Sequence, residues 1–264
     1  MQISVCQDTE ELKATEEMKM KCALAAVGSI DGAVEYNKAV LADTLQKCAG
    51  RADAVIFGEA FLQGFYGISF VVEQDRKVAV SRESNIIREI CAMAKERSIA
   101  VSFGFIEKDC GVFFSSQMTV DKEGRIVDVY RRVSPGWKEP FAGKEYREGK
   151  EFHTFDFLGQ RVAIGLCGDF WYEENIARLN ELKPDVVWWP VYTEYSALEW
   201  NDTAKLEYAE QAGKIHAPVC YVNSVCIAPS QNRESAKGGA ALFDKGRIKE
   251  ELPAGNEGIL IVEC

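Results

Sequence analysis

Short apolar runs alternate with amphipathic stretches along this chain, and pairs of apolar runs joined by tight turns interrupt the alternation. The run "CALAAV" (22–27) reads as a short buried strand. The stretch 31–51 then sets Val40, Leu41, Thr44, Leu45 and Cys48 at helical spacing. A strand at 52–61 ends near Glu59, a helix covers 82–98, and a strand covers 99–108. Two hairpins follow, 111–133 around Lys122-Glu123-Gly124 and 152–167 around Leu158-Gly159. Beyond them the pattern gives a helix at 172–182, a strand at 184–192, a helix at 198–214 and a strand at 218–225. Two more strands, "GAALFDKGRI" and "GILIVEC", complete the tail. A purely doubly wound sheet has no use for interleaved hairpins, so the expectation is α/β with mixed sheets covered by helices on one face.

The 264 residues are 47% hydrophobic, enough for one sizeable core, and no linker or short-period repeat divides them. We expect an N-terminal extension over 1–20, acidic and helix-like with Thr9 as a candidate N-cap, and one domain over 21–264. The formal charge is −10 and no basic stripe occurs, which argues against a nucleic-acid partner. No apolar run is long enough for a membrane span, and the start does not read as a signal peptide. The nine cysteines are scattered, odd in number and without a Cys-x-x-Cys, so the spacing describes neither a disulfide scaffold nor a zinc site. Thiols spread in this way suggest a reducing, cytoplasmic setting.

Three junctions look chemical. Glu59 ends an apolar strand in "VIFGEAFLQGFYG", and Cys167 ends another in "VAIGLCGDFWYEE". Between them lies a basic loop punctuated by glycine and proline, 129–149. A thiol needs a base or a cation beside it to act as a nucleophile at neutral pH. The only histidines are His153 and His216, read as structural, so a glutamate and a Lys or Arg must serve.

These blocks, in this order, resemble the nitrilase superfamily of carbon–nitrogen hydrolases, which use a Glu-Lys-Cys triad. "ADAVIFGEAFLQGFYG" is similar to the family's glutamate block, with Gly58 in place of proline. "GLCGDFWYEE" is similar to its cysteine block through Cys167, Asp169 and Glu174, with Gly168 where an aromatic is common and Trp171 where arginine is usual. "LNELKPDVVWWPVY" and "AEQAGKIHAPVCYVNSV" are similar to the strand and helix that follow. The family lysine lies in Tyr-Arg-Lys, but this chain reads Tyr130-Arg131-Arg132. Either Lys138 in "SPGWKEP" enters the site, our expectation, or Arg132 supplies the cation, or activity is lost.

The resemblance implies a four-layer α-β-β-α sandwich and hydrolysis of a small amide or N-carbamoyl substrate through a cysteine thioester. Cys167 is then the nucleophile and Glu59 the base, with Lys138 or Arg132 as the cation. Glu145 buttresses the cation, with Glu139 as its rival. The backbone of Gly168 helps to hold the oxyanion, and Asp169, Trp137, Trp171 and Tyr192 are candidates to line the substrate pocket. An adjacent cation should make Cys167 the most reactive thiol. The resemblance implies no cofactor or metal, and assembly as a homodimer or higher homo-oligomer through helices 172–182 and 198–214. The alternative is a member of the fold that has lost catalysis and serves as a binding or assembly subunit.

Overall fold

The computed structural model describes residues 19–228 and 234–264; the candidate N-cap Thr9 lies outside them. The first half of the chain runs β1 (Lys21–Ala26), β2 (Gly28–Ser29), α1 (Val34–Cys48), β3 (Ala54–Phe57), α2 (Val72–Val78) and α3 (Asn85–Arg97). It closes with a meander of β4 (Ala100–Asp109), β5 (Val112–Val120) and β6 (Ile126–Arg131). The second half runs β7 (Thr154–Phe157), β8 (Gln160–Ile164), a 3₁₀ turn (Cys167–Trp171), α4 (Glu173–Glu181) and β9 (Val186–Val191). Next come α5 (Ala197–Glu199), a π turn (Trp200–Ala204) and α6 (Lys205–Ala212). The last strands are β10 (Val219–Asn223), β11 (Val225–Cys226), β12 (Ala240–Asp244), β13 (Arg247–Leu252) and β14 (Gly258–Glu263).

The strands form two six-stranded sheets, ordered β14-β1-β3-β4-β5-β6 and β13-β12-β10-β9-β8-β7. Each has three parallel strands at its centre, β1-β3-β4 or β8-β9-β10, flanked by antiparallel ones. Parallel neighbours need a crossover, which the helices supply, while hairpins add the antiparallel edges. This is the physical content of the mixed pattern in the sequence.

Alternation along β1 sets the layers. Cys22, Leu24 and Ala26 join Ile56, Val162, Val186 and Val222 in a core between the two sheets. Ala23 and Ala25 face the other way, with Val55 and Phe57, onto Leu41 and Leu45 of α1 and Ile87 and Ile90 of α3. On the far side Ile176 and Leu179 of α4 and Tyr208, Ala209 and Ala212 of α6 cover the second sheet. Helices, sheet, sheet and helices make four layers, as the resemblance implied.

Two elements differ from the sequence reading. "GAALFDKGRI" is a hairpin, not one strand: Lys245 and Gly246 both take positive φ and split it into β12 and β13. The helix α2 has no apolar stripe to announce it. Its one buried residue is Asp75, which accepts hydrogen bonds from Ser69 (2.8 Å) and from the Tyr146 hydroxyl (2.6 Å). A distant tyrosine fixes that helix, and no local periodicity can report it.

Leu45 is fully buried between α1 and the first sheet, whereas Leu198 is 72% exposed. We expect Leu45→Ala to cost about 2–5 kcal/mol in urea unfolding and Leu198→Ala no more than about 0.5 kcal/mol.

Candidate active site

The parallel strands of both sheets deliver their C-terminal ends to one place, where sites in open α/β sheets tend to form. Glu59 follows β3 by two residues, and its N–H donates to the Val191 carbonyl at the end of β9 (3.1 Å), so the two sheets meet at this point. Its carboxylate is buried. Ser115 of β5 donates to Oε1 (2.7 Å), and Nη1 of Arg132 donates to Oε1 (3.0 Å) and Oε2 (3.2 Å).

Strand register explains why Arg132 arrives here. Ser116 pairs with Arg131 across β5 and β6, and the N–H of Arg132 carries the ladder one step further to Ser115. Successive side chains point to opposite faces. Arg131 therefore binds Glu107 and Asp109 on one side, while Arg132 turns to Glu59 on the other. The guanidinium is 4% exposed. Burial works to lower its pKa, but the charges of Glu59 and Asp169 outweigh it and hold the group protonated.

The expectation for Lys138 is corrected. Pro135 and Gly136 (φ 99°) lead the loop away from Glu59, and Nζ of Lys138 pairs with Glu148 (2.7 Å) and donates to the Tyr146 carbonyl (2.9 Å). Neither Glu145 nor Glu139 is among the partners of Arg132, which are Glu59, Ser134 and the Pro135 carbonyl. The Glu145 carboxylate instead lies against Gly143.

Cys167 follows β8 through Gly165 and Leu166 and opens the 3₁₀ turn with φ at +43°, a left-handed conformation that costs a non-glycine residue energy. Gly165 is required there, because a Cβ would stand 2.1 Å from the Phe170 ring. Trp189 donates its indole N–H to the Cys167 carbonyl (2.8 Å), and Sγ faces the Tyr192 carbonyl (3.5 Å). Burial pushes the thiol up to about 12, Arg132 pulls it down, and Glu59 pushes it up. Desolvation is thus the larger effect, and the adjacent cation does not bring the thiol below its ordinary range.

Asp169 is not a pocket residue but a knot. It is fully buried and both oxygens are engaged. Oδ1 accepts from the N–H groups of Val133 (3.2 Å) and Ser134 (2.7 Å), and Oδ2 from the Tyr130 hydroxyl (2.6 Å) and the Leu166 N–H (2.8 Å). One carboxylate ties the arginine loop to the cysteine turn. Burial raises its pKa, against the lowering effect of these donors and of Arg132. Gly168 sits where a Cβ would be 2.7 Å from Nη2 of Arg132 and 3.2 Å from Oγ of Ser134.

The aromatic candidates separate. Trp137 is buried near Phe70 and Tyr146. Tyr192 is buried and stacks on Phe65 with ring centroids 4.5 Å apart. Trp171 is half-exposed, with its edge toward Tyr208. A cleft of about 350 Å³ is lined by Thr193, Glu194, Tyr195, Glu199, Tyr208 and Glu234. It adjoins the cluster, since Thr193 in its lining directly follows Tyr192, whose carbonyl faces Sγ of Cys167. A larger cleft of about 530 Å³ lies at the other end of the parallel strands, beside Lys21, Asp53 and Ala100, and contains none of these groups. Sequence reasoning missed Ser115, Ser134 and Tyr195. Only Ser115 had a signal, its register opposite Arg132.

Fold and site together define the class: an α-β-β-α sandwich with a buried glutamate, a buried cation and a cysteine at converging strand ends. The chain belongs to the carbon–nitrogen hydrolase family, whose profile matches residues 9–264. It is 30% identical over 168 residues to an (R)-stereoselective amidase from Pseudomonas sp., covering 64% of this chain and 58% of that protein. It is 26% identical over 162 residues to a bromoxynil-specific nitrilase from Klebsiella pneumoniae subsp. ozaenae, covering 58% and 44%. The chain thus aligns with about half the length of these curated relatives. Among solved structures it resembles an amidase from Nesterenkonia sp. AN1 carrying acrylamide on its active-site cysteine, with a TM-score of 0.74, 17% identity and 93% of both chains covered.

Removing the guanidinium leaves a buried carboxylate without its charge partner. Arg132→Ala should cost about 3–5 kcal/mol in denaturant unfolding. Lys138→Ala, which breaks a partly exposed pair, should cost no more than about 1 kcal/mol.

A thiol held at about 12 should also alkylate unusually. The iodoacetamide rate at Cys167, followed by mass spectrometry, should still climb where an ordinary thiol levels off, above about pH 9. A plateau near neutral pH would show a thiolate instead.

Proposed function

We propose that this protein hydrolyses the carbon–nitrogen bond of small amides, with Cys167 as nucleophile, Glu59 as proton carrier and Arg132 in the place of the family lysine. The observation that carries this reading is the buried Glu59–Arg132 pair whose charges both reach Cys167. Cys167 Sγ attacks the amide carbon while Glu59 accepts the thiol proton. The carbonyl oxygen becomes an oxyanion. Arg132 Nη2 spends one N–H on the Pro135 carbonyl, and its other N–H, together with the Gly168 N–H, is available to that oxyanion. Glu59 then gives its proton to the departing nitrogen, the C–N bond breaks, and a thioester remains. Water adds to the thioester as Glu59 takes its proton, and the acid leaves as Cys167 regains a thiol.

The cleft beside Cys167 supports a substrate class. Glu194, Glu199 and Glu234 line it, and among the described residues no Lys or Arg joins them. Such a mouth favours an amide with an ammonium group over one with a carboxylate. Homodimer formation belongs to the same proposal, supported by the exposed Leu198 and Leu206 near and on α6.

Ammonia release from a panel of amino-acid amides, neutral amides and amides of dicarboxylic acids tests the reading. Cationic amides should be preferred, and the preference should shrink with added salt and in Glu199→Gln. Cys167→Ala and Glu59→Gln should each abolish release. Arg132→Ala should lower turnover by about 10²-fold or more.

A second reading, a member that binds without catalysis, is favoured by the arginine itself, whose planar fork cannot move as an ammonium does. No ammonia from any amide, with the ligands still raising the melting temperature, would establish it.

A further inference from the structure

Cys22, Cys220 and Cys264 are far apart in sequence and meet in the fold. Cys22 lies in β1 of the first sheet, Cys220 in β10 of the second, and Cys264 directly follows β14. Cys22 and Cys220 are fully buried and Cys264 is half-buried. Sγ of Cys264 stands 3.6 Å from that of Cys22 and 3.8 Å from that of Cys220, and all three sulfurs lie within 4.8 Å of one another. None is bonded to another.

Three small apolar side chains could meet in a core simply by packing. The geometry asks for more. A metal–thiolate bond of about 2.3 Å places sulfurs about 3.8 Å apart around a tetrahedral ion and about 4.0 Å apart in a trigonal plane. Two of the three edges already stand near that length. The frame is rigid as well. Cys264 exchanges both backbone hydrogen bonds with Met20, 2.9 and 3.0 Å, and its carbonyl accepts a third from Gln160 (3.0 Å). Cys22 and Cys220 sit inside central strands. Such ligands are held in place before any ion arrives. Thiolates select soft d¹⁰ cations.

We propose that Cys22, Cys220 and Cys264 form a site for one thiophilic d¹⁰ cation, Zn²⁺ or Cu⁺, that clamps the two sheets together. Each thiol that binds gives its proton to water, so uptake releases protons and strengthens as pH rises. No redox change takes place. The site lies apart from Cys167 and does not depend on the proposed hydrolysis.

The full chain, reduced, stripped with a chelator and desalted, is titrated without oxygen with Zn²⁺ and, separately, with Cu⁺ buffered by a competing chelator. One equivalent of at least one ion should bind, with proton release and a melting temperature that rises with free metal. The ion that binds identifies the source. Cys264→Ser should weaken binding by about 10²-fold or more, since even outer-shell changes cost about 10–100-fold. Exposed Cys110→Ser and Cys167→Ser should leave it unchanged. Cys220→Ala adds a second ligand test, and if it does not fold, Cys264→Ser alone decides. Failure of both ions to bind, or binding that survives Cys264→Ser, overturns the proposal. So does loss of two of the three thiols to a disulfide under air in protein that takes up no metal.

Discussion

Much of the site hangs on one buried carboxylate. Asp169 takes four hydrogen bonds, two from the loop after β6, one from Tyr130 at its end, and one from the turn that carries Cys167. Those segments come from different sheets, and no continuous strand pairing joins them. A charge without water around it is costly unless every lone pair is used. Asp169 meets that condition only when the arginine loop and the cysteine turn are both in position. The knot therefore turns two flexible connections into one body, and it lets Cys167 keep a left-handed backbone that would otherwise relax.

The exchange of lysine for arginine is not an isolated change. A guanidinium is wider than an ammonium and must lie flat against its partners. Room for it comes from Gly168, where any side chain would collide with Nη2, and from Ser134, whose hydroxyl accepts from Nε (3.0 Å). Two of the departures from the family pattern noted in the sequence, arginine at 132 and glycine at 168, thus occupy one volume. Ser115 completes the arrangement by holding the carboxylate that the arginine binds. Each group fixes the next, and the proposed reaction draws on a site whose polar atoms are oriented before a substrate enters.

The same sandwich handles charge differently at its two ends. At the C-terminal ends of the parallel strands, one cation is sunk among Glu59, Cys167 and Asp169, while the cleft above is acidic. At the other end, lysines, arginines and acids mix in an open cleft around Lys21 and Asp53. The chain's net charge of −10 does not distinguish the ends. Only the fold makes the acidic excess local, and a local field is what selects among ligands.

The sequence by itself determined the mixed sheets with their helices and two residues at strand ends, whereas the four layers came only with the resemblance. Period-two and helical spacing report which faces are buried, so the mixed sheets, α1, α3 and both hairpins were legible, as were Glu59 and Cys167 at strand ends. Local pattern cannot report what a residue meets from another sheet. Arg132 and Lys138 lie six positions apart in one loop, and the sequence expectation favoured the lysine; the β5–β6 register and the turn at Gly136 decided otherwise. Asp169 looked like a pocket residue, and became a knot because its four donors come from two separated segments. The thiols of Cys22, Cys220 and Cys264 carried no metal-like spacing, and converge only because two sheets stack face to face. Tertiary structure decided each of these for one reason: hydrogen bonds, charges and sulfur contacts act through a few ångströms of space, whatever length of chain lies between.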